Sequence, residues 1–589
     1  MEDGSIGSDG RLSRRSMLAG TAATLTASTS GCIRQVRSTV SRDTVPQLSV
    51  TISTVPADSD RQAVQLARRL AGTLESVGID VSISLLADEE LIRRVAINHD
   101  FDVFVGRFPG RTDPDFLYEA LHSRFVDESG WQNPFGFANM SVDGFLEEQR
   151  TLEGDERREA VFDALEAVAA EQPFVPICRP REIRLARTDR FRGWQNGHLE
   201  DRLGYLGLEV VDEATDGDEN ARIRGIVIDP RPSKNLNPLS IEYRNRGTLI
   251  NLLYDSLAAS DEGSLLPWLA AEWEWDGSTV EVTLRDGHEF HDGEPVTASD
   301  VAFTYEFLGD TALGGEESPS PTPFRRGAVS AIEEVEIHDD LTLSMSVSTS
   351  PEVAEQAFTV PILPAHVWEG RAESASVPGV RTAQGTTEAL VSDNVPPVGS
   401  GPFRFVERVE REYVLLERFD EHFTRRPDVD LPEPTAGSLE ARIDPRSTSA
   451  ITIVQNGDAD VTISTLDANV VDDIEPPDDV SLLESRSRTF YSFGFNARRA
   501  PFSNPNFRRV VARAIDKEWL VADVFDGYAD PIATPVIADW TPPSLEWDGI
   551  DPVVPFAGDD GEVNTTMIRT LFEEAGFRYG EDERLLVRR

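Results

Sequence analysis

The sequence predicts an α/β protein with a parallel sheet near its start, and two observations support this. From Gln47 to Gly106, apolar strand patterns alternate with helix patterns, an order typical of βαβ units. The chain has 589 residues, which is enough for two or three domains with large buried cores. We therefore expect a multidomain α/β protein.

The elements of this first segment alternate along the chain. Short apolar runs predict strands at residues 48–53, 79–85 and 101–106. Between the first two strands, apolar residues recur at helical spacing and predict a helix that ends near Gly78. A second helix is predicted over 88–98, and a charged helix over 155–171.

The stretch 269–305 predicts a β-hairpin followed by a capped helix. Asp276 and Gly277 supply a turn, because glycine tolerates positive φ. Thr297 stands three residues before Asp300, the spacing of a helix capping box. The strand after the turn alternates apolar with polar residues, with Val280, Val282 and Leu284 on one face.

Charge excludes some classes of function. The formal net charge is −48, and such a field repels nucleic acid and anionic membranes. The basic residues are arginine except for Lys234 and Lys517. An acidic, lysine-poor chain with 39% apolar residues indicates folding in molar salt, where self-repulsion is screened, and hence a halophilic source. The alternative, a disordered acidic protein, conflicts with the periodic apolar segments.

The first residues indicate export to the cell surface. Residues 13–18 resemble a twin-arginine export motif, and a short apolar segment follows. Residues 29–32 resemble a lipobox, with Cys32 as the lipidated residue, so 1–32 would be a lipoprotein signal and 33–46 a tether. The alternative is a disordered N-terminus with chance arginines. The second cysteine, Cys178, lies in a buried-strand pattern and is expected to be a core residue.

Several segments together resemble solute-binding family 5, the dipeptide, oligopeptide and nickel-binding receptors of ABC importers. Residues 284–303 read LRDGHEFHDGEPVTASDVAF and match the family signature at nearly every defining position. LLYDSL at 252–257, PVGSGPFRF at 397–405 and the block at 492–520 also resemble family segments. The resemblance covers most of residues 47–589.

The order of these segments differs from that of the family. VGIDVSISLL at 77–86 and FDVFVGRFPGRTDPDFLY at 101–118 resemble its C-terminal half, yet they come first here. We therefore predict a circular permutation, with the parent cut between Arg589 and Gln47 and its old ends joined through the acidic residues 211–220. The alternative is a tandem fusion of two partial repeats, although no segment occurs twice.

The resemblance implies a periplasmic-binding-protein type II-like fold with two lobes, a hinge and an extra α+β domain. Lobe 2 would combine residues 47–174 with 482–589. Lobe 1 would combine 175–210, 221–262 and 392–481, and would carry the extra domain at 263–391. The ligand would then lie in a cleft between the lobes.

Catalytic motifs are missing from the sequence. It contains no G-x-S-x-G, Walker loop or C-x-x-C pattern, so we predict that the protein is not an enzyme and has no cofactor. His288 and His291 are three residues apart but show no helix periodicity and have no third ligand nearby. We therefore predict a packing role for them and no metal site.

Positions that match the family suggest which residues line the ligand cleft, although an ordinary packing or surface role is equally open for each. The eight predicted ligand-binding residues are Asn237, Tyr254, Ser400, Gly401, Phe403, Asn496, Phe108 and Arg111. Peptide binders of the family carry an aspartate three residues before the DPD motif, and Gly110 stands there in this chain. Arg107 and Arg111 flank it, which favours a carboxylate or other oxyanion over an amine.

The resemblance implies an extracellular receptor, lipid-anchored to the cytoplasmic membrane, that delivers a small solute to an ABC permease and its ATPase. The ligand would be a short peptide or another small molecule, and the receptor a monomer. Three alternatives stay open: a solute sensor without transport, a scaffold that has lost its ligand, and a secreted hydrolase.

Overall fold

The computed structural model describes residues 45–211, 221–243, 247–261, 263–381 and 385–587. The predicted export signal with Cys32, the tether and nearly all of the acidic linker lie outside the described residues. Within these ranges, every helix is too short or too polar to cross a membrane.

The first segment forms the predicted βαβαβ unit. Strand β1 pairs in parallel with both β2 and β3. Helix α1 begins where the Asp60 carboxylate accepts the Ala63 amide at 2.9 Å, and the chain turns after it at Gly78, whose φ is 88°. The elements are β1 (Ser49–Thr54), α1 (Arg61–Ser76), β2 (Asp80–Leu85), α2 (Asp88–Ile92), a π-helical turn (Arg93–Ile97) and β3 (Val103–Phe108).

Strand β3 begins two residues later than its apolar pattern predicts. The reason is a tertiary contact: the Asp102 carboxylate accepts the Thr51 amide at 2.9 Å. A side chain therefore takes the place of a ladder hydrogen bond, and backbone pairing with β1 begins at Val103.

Three helices and a long strand follow. The predicted charged helix is confirmed as α5. The elements are α3 (Phe116–Leu121), α4 (Met140–Gln149), α5 (Gly154–Glu171), β4 (Phe174–Arg187), β5 (Phe191–Arg192) and β6 (Glu209–Val210).

Residues 263–381 and 385–391 contain a separate four-stranded antiparallel sheet with strand order β10-β11-β13-β12. The predicted hairpin is its β10-β11 pair, and the predicted capping box of Thr297 and Asp300 is present at the start of α7. The elements from here back to the gap at 212–220 are β7 (Arg222–Val227), α6 (Thr248–Leu253), β8 (Ala258–Asp261), β9 (Ser264–Pro267), β10 (Ala270–Asp276), β11 (Thr279–Leu284), α7 (Ala298–Gly309), α8 (Arg326–Val329), β12 (Ile332–Ile337), β13 (Thr342–Val347), α9 (Pro351–Ala354), α10 (Ala365–Trp368) and α11 (Glu388–Val391).

The rest of the chain returns to the large sheet and ends in helices and short hairpins. Its elements are β14 (Phe403–Val409), β15 (Tyr413–Arg418), β16 (Ser438–Ile443), α12 (Ser447–Gln455), β17 (Val461–Thr462), β18 (Val480–Arg486), β19 (Phe490–Phe495), α13 (Pro505–Arg513), α14 (Lys517–Phe525), β20 (Ala529–Pro531), β21 (Gly558–Asp559), β22 (Glu562–Val563), α15 (Thr565–Glu574), β23 (Arg578–Tyr579) and β24 (Leu585–Leu586).

A 12-stranded sheet contains strands from β1 to β20. Its order is β14-β15-β16-β7-β17-β4-β19-β3-β1-β2, and β18 and β20 also pair with β4. Strand β4 is 14 residues long and lies between the two halves of this sheet. We call the half with β1, β2, β3 and β19 the β1 side, and the half with β7 and β14–β17 the β7 side.

Each side has its own hydrophobic core. On the β1 side, residues from both ends of the described chain pack together, from Leu48 to Leu585, and the Leu48 amide donates to the Leu585 carbonyl at 2.7 Å. On the β7 side, one continuous core also includes the four-stranded sheet, from Ile223 through Val282 to Leu416. The boundary between these cores determines where a cleft can open.

Candidate functional site

A cavity of about 730 Å³ lies between the β1 side and the β7 side. Its wall includes residues directly after the carboxyl ends of β1, β7, β16 and β17, such as Val55, Ile228 and Ile463. Strands β7, β16 and β17 are parallel neighbours, as are β1 and β3. Crevices at this edge of parallel strands are the usual ligand sites of open α/β sheets.

The β1-side wall carries a polar group formed by Asp60, Arg107 and Tyr491. The Arg107 Nε donates to the Asp60 carboxylate at 3.1 Å and to the Tyr491 hydroxyl at 2.8 Å. The Tyr491 hydroxyl in turn donates to Asp60 at 2.9 Å. Burial alone would lower the pKa of Arg107, but Tyr491 and Asp60 outweigh it and raise that pKa. Arg107 is therefore a fixed charge that already has a carboxylate partner.

The β7-side wall carries a second paired arginine. Asp229 and Arg231 follow β7 directly, and the Arg231 guanidinium forms a bidentate contact with the Asp229 carboxylate, with its Nη2 at 2.7 Å. Arg231 is buried, and burial tends to lower its pKa, but Asp229 and the nearby Asp88 raise it overall. The bidentate pair therefore holds the Arg231 guanidinium in one orientation beside the cavity.

Ion pairs join the two sides beside the cavity. The Lys234 Nζ lies 2.6 Å from a Glu89 carboxylate oxygen, and the Arg93 Nε lies 2.8 Å from Glu242. A longer contact of 3.8 Å joins Arg231 to Asp88. These pairs are partly exposed and connect separate cores, so opening the cavity requires them to separate.

The cavity wall is strongly charged on both sides. A polar solute suits such a surface, because an apolar one would displace water from these charged groups without replacing the hydrogen bonds that the water makes. The acidic residues are Asp58, Asp60, Asp88, Glu89, Glu200, Asp229 and Asp467, and the basic ones are Arg107, Arg184, Arg231, Lys234 and Arg411.

None of the eight predicted ligand-binding residues lines this cavity. Asn237 is buried, and its side-chain amide donates to the Ala389 and Ser392 carbonyls at 2.7 and 2.9 Å. The buried Tyr254 hydroxyl accepts from Asn394 at 2.8 Å. Both side chains hold the loops around α6 and β14 together and do not line the cavity.

The predicted G-S-G-P-F turn packs tightly under the same loops. A Cβ on Gly401 would lie 2.4 Å from the Leu252 carbonyl, so glycine is required there for close backbone approach. Ser400 and Phe403 are fully buried. The expectation that small residues allow close approach is met, but the group that approaches Gly401 is the protein backbone.

The remaining predicted residues lie on the β1 side. Asn496 donates to the Phe101 carbonyl at 2.9 Å, and Phe108 stacks with Phe135 and Phe174 in an aromatic cluster. Arg111 lies 3.2 Å from Glu119. The structure therefore does not bring the eight residues together, and their ligand roles stay predictions.

His288 belongs to a buried network around Asp255. Asp255 accepts hydrogen bonds from His288 at 3.0 Å, His422 at 3.3 Å, Arg202 at 3.0 Å and Trp268 at 2.7 Å. Burial would raise the pKa of Asp255, but His422, His288 and Arg202 hold it well below its usual range. Burial also lowers the pKa of His422 to about 4.

Asp255, His288 and His422 have the composition of a possible metal site. The charges favour a different role, because the Arg202 cation already balances the Asp255 anion in this buried place. A divalent ion would add uncompensated positive charge. The network instead connects the chain near residue 202 with α6, the four-stranded sheet and the loop before β16.

The sequence contained a signal for the cavity that our residue assignments did not use. Asp60 lies seven residues after the strand predicted at 48–53, and Asp229 and Arg231 lie within three residues after 223–228, which resemble the first strand of the family. Charged residues in such loops converge when the strands are parallel. Their partners Tyr491 and Asp467 are distant in sequence, so only the fold brings them together.

Fold and site together define an α/β protein with a charged cavity between the two halves of its large sheet. Comparison with known proteins gives the family. The sequence model described as bacterial extracellular solute-binding proteins, family 5 (middle), matches residues 264–587, which is more than half of the chain. The chain therefore belongs to this family, and its architecture is the α/β, periplasmic-binding-protein type II-like fold. Members of the family are binding components of transport systems and not enzymes.

Curated relatives match about half of the chain. The oligopeptide-binding protein AppA of Bacillus subtilis is 25% identical over 282 residues, which is 47% of this chain and 47% of that protein. The glutathione-binding protein GsiB of Pectobacterium atrosepticum is 27% identical over 293 residues, 49% of this chain and 48% of that protein. The chain thus spans about half the length of the curated relatives it matches.

Solved structures of the same family are also similar. AppA of Bacillus subtilis in complex with a nonapeptide has a TM-score of 0.43 and 21% identity, covering 61% of this chain and 65% of that one. NikZ of Campylobacter jejuni in complex with Ni(L-His) has a TM-score of 0.42 and 18% identity, covering 62% and 65%.

Proposed function

We propose that this chain is an extracellular receptor that binds a small polar solute between its β1 and β7 sides and delivers it to an ABC permease and ATPase. The observation that carries the proposal is the cavity of about 730 Å³ at the carboxyl edge of the parallel strands. Membership of a solute-binding family supports the transport role.

Hinge closure is part of the proposal. The two sides have separate cores and are connected by β4 in the sheet and by the ion pairs Lys234–Glu89 and Arg93–Glu242. A solute that contacts both walls would favour the closed arrangement, because only there do the walls meet. The receptor itself would carry out no reaction.

The test is thermal unfolding of the protein in molar NaCl with a panel of solutes. The panel follows the ligands named for relatives: oligopeptides, glutathione, mannohexaose, agropinic acid and nickel with histidine. Binding to the native state stabilises it by about 2.7 kcal/mol at a hundredfold excess over Kd. A saturable shift with one class names the ligand class, and a folded protein with no shift across the panel contradicts the proposal.

A paired substitution tests whether the ligand sits in this cavity. Ala87 is an exposed residue on the cavity wall, so Ala87→Trp would fill space there without disturbing a core. We expect this variant to unfold like the wild type and to lose the ligand response. The matched control is Ala522→Trp, at an exposed position on α14 away from the cavity, which should keep the response. Equal responses in both variants would place the ligand elsewhere.

We also propose that the chain is a circular permutant of its family. The order of the family-like segments supports this, as does the position of β1 in one sheet with β19 and beside residue 585. If residues 47–56 had paired in a different sheet from residues 480–500, the permutation would have been contradicted.

A rearranged chain tests the permutation. Residues 221–589 would precede residues 47–210, with the native sequence otherwise unchanged. We expect it to fold with nearly the wild-type unfolding midpoint and with the wild-type ligand response, because all described contacts within and between residues 47–210 and 221–587 are kept. A control chain opened inside α1 should fail to fold. Failure of the first rearrangement to fold would contradict the permutation.

Lipid anchoring through Cys32 remains a proposal, since Cys32 lies outside the described residues. We expect metabolic labelling with a radioactive fatty acid or isoprenoid precursor to mark the wild-type protein in its native host, and Cys32→Ser to abolish the label and release the protein into the medium. Membrane retention of the unlabelled variant would contradict the anchor.

A further inference from the structure

Two asparagines stand in the sequence pattern of an N-glycosylation acceptor, which is Asn-X-Ser/Thr with X other than proline. The patterns begin at Asn139, directly before α4, and at Asn564, directly before α15, and they read Asn-Met-Ser and Asn-Thr-Thr. Neither asparagine lines the cavity. Because so short a pattern also occurs by chance, the surroundings of each side chain decide whether it can accept a glycan.

Both patterns lie at the surface of the folded protein. Asn564 and Thr566 are exposed, and Asn139 is half-buried and followed by an exposed Ser141. Between these last two, the Met140 side chain is 90% exposed. A transferring enzyme can therefore approach both asparagines from solvent without disturbing a hydrophobic core.

Each asparagine uses only the oxygen of its side-chain amide. The Asn139 Oδ1 accepts the backbone amides of Ser141 at 2.9 Å and Val142 at 3.3 Å. The Asn564 Oδ1 accepts the Met567 amide at 3.0 Å. Within the described chain, neither Nδ2 donates a hydrogen bond. The oxygen therefore caps the helix, while the nitrogen, which is the atom that carries an N-linked glycan, points to no partner.

A glycan on Nδ2 is compatible with these helix caps. Glycosylation replaces one hydrogen of the amide nitrogen and keeps the carbonyl oxygen, so the capping hydrogen bonds can remain. The hydroxyl groups of Ser141 and Thr566 also make no hydrogen bond to other described residues. Both groups by which the pattern is recognised, the amide nitrogen and the hydroxyl, are thus available in the folded protein.

A third capping asparagine shows what the pattern adds. Asn504 precedes α13, and its Oδ1 accepts the Asn506 amide at 3.0 Å. Proline stands at 505 and asparagine at 506, so the pattern is absent. The Asn504 Nδ2 also donates to the Ala575 carbonyl at 3.4 Å. Asn504 therefore caps a helix in the same way but offers neither the hydroxyl residue nor an unbonded nitrogen.

We propose that Asn139 and Asn564 are N-glycosylation sites, modified with a glycan that is supplied on a polyprenyl phosphate carrier. In the transfer, Nδ2 forms a bond to the anomeric carbon and loses one proton. The bond from that carbon to the phosphate oxygen breaks, and the carrier leaves as its phosphate. The proposal rests on the extracellular placement in the proposed function, because acceptors of this pattern belong to secreted proteins.

The glycans would cover apolar surface and leave the cavity open. Met140 lies inside the first pattern, and Met567, which is 41% exposed, directly follows the second. A hydrophilic chain at each asparagine would shield these side chains from other apolar surfaces. Since neither asparagine lines the cavity, loss of the glycans should leave the solute response unchanged.

The experiment is tandem mass spectrometry of peptides from the full-length protein, purified from its native host. We expect a glycan mass on the peptides that contain Asn139 and Asn564, and none on the peptide that contains Asn504. Asn139→Asp should lose the glycan completely and keep the wild-type Tm, because aspartate caps a helix as well as asparagine does. Asn564→Asp should behave in the same way at the second site.

Variants at the third position separate recognition of the pattern from a change at the asparagine. Ser141→Ala should lose the glycan at Asn139 although the asparagine and its cap are intact. Ser141→Thr should keep it, because threonine also completes the pattern. Protease treatment of intact cells shows in parallel whether the protein is outside the membrane.

The outcomes distinguish this proposal from the proposed function. Protein that protease reaches on intact cells but that is unmodified at both asparagines would overturn the glycosylation proposal alone. Protein that protease does not reach and that carries no glycan would overturn the extracellular placement as well. A glycan that persists in Ser141→Ala, or one on Asn504, would show modification that does not follow the pattern. A glycan on one asparagine only would overturn the assignment of the other.

Discussion

The Asp255 network and the ion pairs beside the cavity are both charge networks, but they differ in burial and in what they connect. Asp255, His288 and His422 are fully buried and lie within the core of the β7 side and four-stranded sheet. Lys234 and Glu89 are 21% and 19% exposed and connect two separate cores. Charge inside one core is fixed, whereas charge between two cores can separate and re-form.

The difference has an energetic basis. Breaking a buried network leaves an uncompensated charge away from water, which costs several kcal/mol. Separating a partly exposed pair lets water solvate both partners, which costs 1 kcal/mol or less. The same residue types therefore support permanent structure in one region and, under the proposed hinge closure, contacts that separate and re-form in the other.

Removing the Asp255 charge should give the largest effect. Asp255→Asn leaves the buried Arg202 guanidinium without its anion, and we expect a loss of about 3–5 kcal/mol in the free energy of unfolding. Urea unfolding measures it. The control is Asp292→Asn, whose partner His366 is 39% exposed, and it should change stability by less than about 1 kcal/mol. Similar losses in both variants would contradict the contrast between buried and exposed charge.

Gly401 tests whether the predicted ligand turn is packing. Gly401→Ala places a methyl group 2.4 Å from the Leu252 carbonyl, so we expect a loss of about 1–3 kcal/mol in the absence of ligand. Gly370→Ala is the control, since nothing lies within 4 Å of its new Cβ. Unchanged stability of Gly401→Ala, with weakened solute binding, would restore the ligand role that the family match suggests.

These contrasts explain which features could be predicted from the sequence and which could not. The βαβαβ unit was predictable because strands and helices repeat with local periods, and α5 and the capped α7 begin within a residue of their predicted starts. The start of β3 was not, because the Asp102 carboxylate replaces a ladder bond through a tertiary contact with Thr51. Local patterns determine elements, and distant contacts adjust their ends.

The site was less predictable than the fold. Family matching selected Asn237, Tyr254 and Gly401, which the structure buries in contacts with neighbouring loops. Arg107 was noted from the sequence as favouring an oxyanion, but it is paired with Asp60, which lies 47 residues away. The role of a charged side chain depends on its ion-pair partner, and the sequence alone does not identify that partner.

Acidification should weaken the buried network with a defined sign. The pKa of His422 is about 4 in the folded protein and about 6.5 in an unfolded chain, so between these values only the unfolded state takes up the proton. Stability from this group is therefore complete above pH 6.5 and falls as the pH drops towards 4. When the pH falls from 7 to 5, the free energy of unfolding of His422→Gln should decrease by about 1–2 kcal/mol less than that of the wild type.

Urea unfolding at the two pH values measures this difference. His366→Gln is the control, because its ring is 39% exposed at the surface and it should keep the wild-type dependence on pH. The same pH dependence in the wild type and in His422→Gln would show that the proton uptake occurs elsewhere, and the buried network would then not be a source of acid sensitivity.

The smallest effect concerns closure directly. A double-mutant cycle on Lys234→Gln and Glu89→Gln should give a coupling energy of about 0.5–1 kcal/mol that decreases as salt is added. Arg69 and Asp523 form the matched pair: their 2.7 Å contact joins α1 and α14 within the β1 side. A saturating solute should increase the first coupling, because it holds the two sides together, and leave the second unchanged. If solute changes both couplings equally, the Lys234–Glu89 pair does not report on closure, and the distinction between fixed and separable charge fails where it matters most for transport.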